Sequence, residues 1–334
     1  MTRFTRHDPG RSLRRPLTAP PHPAVAAAPA CSSSVVLVLV LGLLLAVAAP
    51  APAAAQEVIR ADEDLDFDRP EAWAMKYYSA VSLASGFGVP AEREPGDVDF
   101  AFEVGWIPEI DEDDARVGFR GTKEEDVNKA PLLARPRLTF GLPARFTLEV
   151  GWVPPVEVFD AKPNLVTVAL GRPLLVGHTW RAGARLHGMA GTIESDITCP
   201  NEVAARGLDD FDGNPFGCEE PSEDEVDLSY VGLELSAERD AGGAWVPYGA
   251  IGVSSLDMEF QVDALTRGFR DLSRLTASGP QWHAVTGLRW QGRPRTSLGF
   301  EVFYSPLRVE RGEGGGSETD PLVNVRALVA YRVR

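Results

Sequence analysis

The sequence predicts an all-β fold: an antiparallel, up-and-down transmembrane β-barrel of about ten strands, with twelve as the alternative. Residues 103–108, Glu-Val-Gly-Trp-Ile-Pro, recur as Glu-Val-Gly-Trp-Val-Pro at 149–154 and in outline as Glu-Val-Phe-Tyr-Ser-Pro at 301–306. Each copy ends a run in which every second residue is apolar, and a period of two indicates a strand. The connections between such runs are alternately short and long, which is typical of barrels that cross a membrane.

Each repeat ends on an outward aromatic residue: Trp106, Trp152 or Tyr304. A proline two positions later removes a ladder donor and ends the strand. Aromatic residues at one level of several strands predict a girdle at a membrane interface. The competing interpretation is a soluble β-sandwich or lipocalin-like barrel, with its apolar face inward. The scarcity of lysine on the polar face favours lipid on the outside.

The charge is strongly acidic. The 334 residues are 44% hydrophobic and carry a formal charge of −15. Residues 1–55 contribute +4, from five arginines and one aspartate, which leaves −19 for the remainder. Such an excess of negative charge excludes a polyanion such as nucleic acid as the natural partner.

The first segment has the three regions of a secretory signal. A basic stretch precedes the 15-residue apolar run Val35–Ala49, and Ala53 and Ala55 then occupy the −3 and −1 positions before Gln56. The run is shorter than the ~20 residues that a spanning helix needs. We therefore expect residues 1–55 to be a cleaved signal peptide.

Residues 56–96 form an acidic N-terminal segment. Within it, Trp73–Gly88 fits a helix and a strand equally well, because apolar residues fall on one face in both cases. This stretch is either a plug, a periplasmic helix or an extra strand. An extra strand would require a further partner, which is the basis of the twelve-strand alternative.

Residues 97–334 form the predicted barrel. With ten strands, short turns face the periplasm, long loops face outward, and both ends of the barrel lie on the periplasmic side. The predicted strands are 97–108, 134–142, 146–154, 164–172, 180–193, 227–239, 245–262, 281–291, 296–310 and 322–333.

The last strand carries a family resemblance. Val325, Ala327, Val329, Tyr331 and Val333 alternate on one face. This pattern resembles the carboxyl-terminal assembly signal of bacterial outer-membrane β-barrel proteins, which usually end on Phe or Trp where this chain has Val followed by Arg. The resemblance implies residence in the outer membrane of a Gram-negative bacterium, with outer-membrane lipid and the barrel assembly machinery as partners.

Cys199 and Cys218 are the two cysteines that follow the signal segment, and both lie in one long loop. In an exported protein such a pair is expected to form a disulfide. Closing a loop of about 20 residues stabilises the fold by roughly 3 kcal/mol in the entropic view.

The same loop holds a degenerate calcium-binding pattern. If Gly213 is the sixth position of an EF-hand-like loop, Asp210, Asp212 and Glu219 occupy the third, fifth and twelfth positions, but Leu208 occupies the first and cannot bind a cation. A solvated acidic loop explains these residues equally well. Ca²⁺ on this loop is the single ligand that the sequence suggests, and no other cofactor is expected.

The histidines give no sign of catalysis. His178, His187 and His283 have no serine or carboxylate nearby in the pattern that would complete a catalytic group. We therefore expect no enzymatic activity.

The predicted inner face of the barrel shows alternating charge from strand to strand. Buried charges require partners, and opposite charges on neighbouring strands supply them. The pattern predicts a narrow lumen crossed by salt bridges, in which Arg289 compensates Glu301 and Glu234. The charged positions are Glu103, Arg137, Glu149, Arg181, Arg185, Glu234, Glu238, Arg289, Glu301 and Arg326.

These features favour a structural, binding or adhesive role through the acidic outer loops. The alternative is a passive channel or transporter for small solutes, and the third possibility is an outer-membrane hydrolase. Wide porins have about 16 strands, so ten strands argue against a large open channel. The sequence does not identify the solute or surface ligand.

Overall fold

The computed structural model describes residues 57–240, 242–311 and 316–333. The predicted signal peptide and residue Arg334 lie outside the described residues. The strands are β1 (Glu57–Ile59), β2 (Asp62–Asp64), β3 (Val98–Trp106), β4 (Leu132–Gly141), β5 (Thr147–Val153), β6 (Ala161–Val176), β7 (Trp180–Ser195), β8 (Asp224–Arg239), β9 (Trp245–Gln261), β10 (Ala264–Thr266), β11 (Phe269–Asp271), β12 (Arg274–Trp290), β13 (Thr296–Ser305), β14 (Arg308–Val309), β15 (Glu318–Thr319) and β16 (Leu322–Arg332). The helices are α1 (Pro70–Ser82), α2 (Gly118–Gly121) and α3 (Asn201–Ala204), with a 3₁₀ turn at Pro143–Arg145.

Ten of the strands form a closed antiparallel barrel. Their order around the wall is β3, β4, β5, β6, β7, β8, β9, β12, β13 and β16, and β16 pairs with β3 to complete the ring. The predicted all-β barrel of ten strands is confirmed. Within the described residues, the stretch that suggested twelve strands does not join the wall.

The two ends of the barrel differ in their connections. Short turns join β4 to β5, β6 to β7, β8 to β9 and β12 to β13, whereas the remaining connections are long. The wall begins and ends, at Val98 and Arg332, on the short-turn end. Within the described part of the chain, no helix is both long and apolar enough to cross a membrane.

A proline explains the largest error in the predicted strand bounds, at the start of β12. The sequence places Pro280 in a loop, but β12 begins earlier, at Arg274. Pro280 pairs with Ser255 of β9, while β13 first pairs with β12 at Ala284. The missing N–H of Pro280 therefore faces a side of β12 that has no partner strand, where proline is tolerated.

The outer surface of the wall is apolar, and the inner surface is polar and charged. The charged inner side chains are almost fully buried, as with Arg135 and Arg326 at 0% and 1% exposure. This arrangement is the reverse of a water-soluble barrel and suits an apolar surrounding. The exposed outward residues include Phe100, Phe102, Leu138, Val166, Val168, Leu170, Leu186, Val231, Leu233, Leu235, Ile251, Leu288, Phe300 and Val302.

Aromatic residues mark both edges of this apolar surface. Trp106, Trp152 and Tyr304 point outward near the long-loop end, with exposures between 42% and 50%. Trp180, Trp245 and Tyr331 point outward near the short-turn end. On β12, Trp282 and Trp290 are eight residues apart, which is about 26 Å along the strand. Because strands of membrane barrels are tilted by ~40° from the barrel axis, the two rings are separated by about 20 Å along that axis. This height is close to the apolar band of membrane barrels.

Helix α1 lies inside the barrel, in contact with β8, β9, β12 and β16, which belong to one half of the wall. Pro70 begins the helix and Glu71 lies in its first turn, a favourable start because proline lacks the donor that would be unpaired there. Twelve of its residues are buried, including Lys76, Ser79 and Ser82, because the helix is enclosed within the barrel. Its apolar side chains belong to one buried cluster with wall residues such as Leu228 and Phe303.

The chain crosses the barrel from one end to the other before it enters the wall. Its first strands pair at the long-loop end, β1 with β11 and β2 with β12. After α1 the chain is extended and reaches the short-turn end, where Gly96 donates to the carbonyl of Gly141. We name residues 70–90 the lumen segment. The ambiguous stretch Trp73–Gly88 is thus a helix followed by extended chain, both within the barrel.

Candidate functional site

Four wall arginines surround the carboxyl-terminal end of α1. Arg135 donates to the carbonyl of Ser82 at 2.9 Å, and Arg326 donates to that of Ala80 at 3.0 Å and that of Leu83 at 2.5 Å. A helix leaves its last four carbonyls without partners and carries partial negative charge there. The arginine side chains donate to these carbonyls and place positive charge beside the partial negative charge of the helix end. We name Arg135, Arg137, Arg185 and Arg326 the arginine collar.

The collar continues beyond the end of the helix. Arg185 donates to the carbonyl of Ala84 at 2.6 Å, and Arg137 donates to that of Ser85 at 2.7 Å. Successive carbonyls of the lumen segment are therefore held by side chains of different strands. The backbone of this segment is fixed to the wall by charged hydrogen bonds, which are roughly twice as strong as neutral ones.

Two carboxylates pair with three arginines of the collar. Arg135 forms a bidentate pair with Glu103, at 3.0 and 3.1 Å. Arg137 lies 3.5 Å from Glu103 and 3.2 Å from Glu149, and Arg185 also pairs with Glu149. Removal of any one partner would leave a buried charge uncompensated, which strongly destabilises a folded protein.

Other carboxylates hold the N–H side of the same segment. The backbone N–H of Gly86 donates to Glu234 at 3.2 Å, and that of Val89 donates to Glu238 at 3.3 Å. The hydroxyl of Ser85 donates to Glu301. Acidic and basic wall residues thus bind opposite polar groups of one peptide backbone.

The ten charged positions predicted for the lumen all lie on the inner face of the wall. Several predicted partners do not pair. Arg289 donates to Glu238 at 2.6 Å, and Arg181 lies 2.9 Å from the same carboxylate. The register places Arg289 opposite Gly299, so Glu301 lies two residues further towards the long loops. The expected compensation of Glu301 and Glu234 by Arg289 is therefore wrong.

Three kinds of partner were missed by reasoning from the sequence: an arginine, two tyrosines and backbone carbonyls. Arg135 was overlooked although it lies two residues from Arg137 on one strand, where the period of two places both on the inner face. Tyr230 accepts from the N–H of Ala84 at 3.0 Å, and Tyr248 donates to Glu301 at 3.1 Å. The backbone carbonyls that the collar binds have no sequence signature at all.

Two histidines meet in the middle of the wall. The rings of His187 and His283 are 5.9 Å apart, and Nε2 of His283 lies 3.5 Å from Glu234. Each of these side chains is at most 3% exposed. Neither of the two cavities described below is lined by these histidines.

A cavity of about 560 Å³ lies at the short-turn end, between the lumen segment and the wall. Its walls are formed by strand faces and by the turn that joins β12 to β13. We name it the basic vestibule, because eight arginines line it against three carboxylates. The charged lining residues are Arg93, Arg137, Arg181, Arg185, Arg289, Arg293, Arg295 and Arg332, with Glu92, Asp99 and Glu149.

A second cavity, of about 380 Å³, lies at the long-loop end. It is bounded by α1, by the loop between β3 and β4, and by those ends of β8, β9 and β12 that lie towards the long loops. Most of its lining is apolar, and its carboxylates are already paired, as Glu71 is with Arg69 at 2.8 Å. We name it the apolar cavity. Its apolar lining includes Met75, Tyr78, Phe119, Val127, Ile197, Val226, Phe260 and Leu275.

The predicted disulfide is present, with Cys199 and Cys218 bonded and both buried. It packs against Val262 and Ala264 of a neighbouring loop. The suggested calcium ligands are not brought together. Asp210 accepts from the N–H of Gly213, Glu219 accepts from that of Gly268, and the described residues contain no group of three side chains suited to a metal.

This is the architecture of an outer-membrane β-barrel: a closed antiparallel wall with an apolar exterior, two aromatic edges and a polar interior. The family resemblance of the last strand is thus confirmed at the level of the fold. No protein family matches the sequence, and no curated protein matches it.

Solved structures of other outer-membrane barrels are similar to this chain. The attachment invasion locus protein Ail of Yersinia pestis is 9% identical over 71% of this chain and 98% of its own, with a TM-score of 0.29. The outer membrane protease OmpT of Escherichia coli is 7% identical over 71% and 94%, with a TM-score of 0.32. The monoaromatic hydrocarbon channel TodX is 8% identical over 73% and 92%, with a TM-score of 0.28. None of these likenesses bears on the activity of this chain.

Proposed function

We propose that the protein is an outer-membrane barrel with a closed lumen, and that it serves a binding role at its long-loop end. The apolar exterior with two aromatic edges supports residence in a membrane. The long loops, which the proposal places outside the cell, carry the apolar cavity and the disulfide. A ligand would thus be met at the surface rather than conducted through the wall.

The observation that carries the closed lumen is the attachment of the lumen segment. Side chains from β4, β7 and β16 donate to its carbonyls, and carboxylates of β8 accept from its N–H groups. A loosely placed plug would leave these buried charges unpaired, at a considerable cost in free energy. A ten-stranded wall is also only slightly wider than the roughly eight strands whose interior side chains can fill.

The apolar cavity supports the binding role. Cavities of roughly 300–1,000 Å³ with mainly apolar lining and few polar groups are typical of small-molecule sites. This cavity lies within that range, and its ionisable groups are held by partners in the wall and the loops. The ligand class that fits is a small apolar molecule.

Single-channel recording in planar bilayers tests the closed lumen. Wild-type protein should show no steady, salt-proportional conductance. Arg135→Ala combined with Arg326→Ala removes the collar's hold on Ala80, Ser82 and Leu83, and should open a measurable leak. Arg172→Ala serves as a matched control, because Arg172 is exposed on the outer face. A large, stable conductance of the wild type would reject the closed lumen.

A passive channel is the second candidate, and one observation favours it. The basic vestibule and the apolar cavity lie at opposite ends of the barrel, with the lumen segment between them. The contacts that hold the segment are polar, so water can replace them if the segment moves. In the same recordings, a gated pathway would give brief openings of the wild type that become longer in the double variant.

A further inference from the structure

The lining of the basic vestibule carries more positive than negative charge, although Glu238 and Asp240 outside the lining pair with Arg181 and Arg289. Eight arginines line it against three carboxylates, although the chain as a whole is acidic. Arginine presents five N–H donors in a planar fork that suits phosphate and carboxylate oxygens. We propose that the vestibule is a binding site for a small multivalent oxyanion, a molecule that carries at least two phosphate or carboxylate groups.

The vestibule arginines are held in place by ion pairs that use only some of their N–H donors, so other donors remain for a ligand. Arg289 donates to Glu238 through Nη2 at 2.6 Å, and Arg93 donates to Asp99. Each of these pairs occupies only part of a guanidinium. A site whose cations are already oriented loses little side-chain entropy when it binds a ligand.

Arg137 gives a direct sign of a missing partner. Its side chain is 1% exposed, and Nη2 donates to the carbonyl of Ser85. Its Nη1 has no hydrogen-bond partner among the described atoms, and its Nε lies 3.5 Å from the Glu103 carboxylate without forming a hydrogen bond. A buried donor without an acceptor is costly, most of all on a charged group. Since Arg137 lines the vestibule, an oxyanion bound there supplies the acceptor.

Arg293 and Arg295 provide the entrance. Both are exposed in the turn between β12 and β13, and both line the vestibule. Neither has an ion-pair partner within the part of the chain that the structure describes. Thr139 and Thr296 also line the cavity, and a threonine hydroxyl can donate to neutral or anionic oxygens. The volume exceeds that of a single phosphate, which favours a ligand with several anionic groups on a polar body.

Isothermal titration of the full-length protein in a non-ionic detergent tests the proposal, with inorganic pyrophosphate and tricarballylate as probes. The wild type should bind at least one of them with sub-millimolar affinity that weakens as salt rises. The double variant Arg293→Gln/Arg295→Gln should bind about 100-fold more weakly, at roughly ten-fold for each charged hydrogen-bond donor lost. Preference for pyrophosphate or tricarballylate would assign the groups as phosphate or carboxylate.

Two arginines at the same end of the barrel provide matched controls. Arg172 and Arg239 are exposed on the outer face and stack on Phe146 and Trp180. Arg172→Gln and Arg239→Gln should leave binding unchanged. If cardiolipin in the micelle, whose headgroup carries two phosphates, competes with pyrophosphate, the oxyanion is a lipid headgroup; otherwise it is a soluble molecule. Absence of binding, equal binding by the double variant, or equal loss in the controls would overturn the site.

Discussion

The two mouths of this barrel differ in chemistry although one set of strands forms both. The short-turn mouth is lined by arginines, and the long-loop mouth is lined by apolar side chains. Short turns leave the ends of the strands uncovered, so the inner faces of the strands determine the character of that mouth. Long loops fold over the other mouth and bring their own side chains to it.

The lumen segment separates the two chemistries. Its amino-terminal half contributes Ala74, Met75 and Tyr78 to the apolar cavity, whereas Gly86, Phe87 and Val89 border the basic vestibule. The arginine collar lies between these halves. The difference teaches that the strand pattern supplies most of the arginines of one mouth, while the other mouth depends on how loops and a helix pack.

The largest effect on stability is expected from a substitution in the arginine collar, which lies between the two mouths. Arg135→Ala removes the bidentate pair with Glu103 and the hydrogen bond to Ser82. Because Glu103 would remain buried with fewer partners, the loss of stability should be on the order of 3–5 kcal/mol. The temperature at which unboiled protein shifts to its unfolded mobility in SDS gels measures this loss.

Arg172→Ala is again the control, since it removes an arginine of the outer face. Its transition temperature should equal that of the wild type. A wild-type transition in Arg135→Ala as well would mean that the collar contributes nothing to the separation of the two mouths.

A smaller effect is expected from pH, and only at the long-loop mouth. Burial raises the pKa of Glu125 to about 7, and its ion pair with Lys123 offsets this only in part. The folded loop therefore retains a proton that the unfolded loop has lost. Closure of the loop should be strongest near pH 4.5 and should weaken as pH rises to 7, by up to roughly 3 kcal/mol.

Hydrogen exchange of residues 109–131 at several pH values, corrected for intrinsic rates, measures this weakening. Glu125 also lies near Glu71 and Asp224, whose charges act in the same direction. Glu125→Gln should make loop closure independent of pH over this range. Persistence of the full pH dependence in that variant would assign it to another group.

The predictability of the two mouths from sequence follows the same division. The period of two identified all ten wall strands and placed the charged residues on the inner face. It could not show that Arg326 binds carbonyls of α1, because backbone groups are present in every residue. The same pattern did not predict that β12 extends past Pro280, because a strand tolerates proline only where the side that lacks the N–H has no partner strand.

The apolar cavity could not be predicted at all. Its lining joins Met75 of α1, Val127 of one loop, Ile197 of another and Phe260 of β9, residues far apart in the sequence. Such a set is defined by the packing of loops, for which no short-range pattern exists. The basic vestibule could be predicted in part, since the sequence already assigned Arg137, Arg181, Arg185 and Arg289 to the lumen.

The smallest expected effect would sharpen the contrast between the mouths. Toluene should enter the apolar cavity with a Kd on the order of 1 mM, and at a concentration equal to Kd it would stabilise the fold by only about 0.4 kcal/mol. Calorimetry would miss this effect, but Met75 lines the cavity, and its methyl resonance should report the aromatic ring current by NMR. Met189, buried in β7 and outside both cavity linings, should not shift. Ala74→Leu fills part of the same cavity and should reduce the response of Met75, whereas equal shifts of Met75 and Met189 would mean that toluene merely partitions into the surrounding detergent.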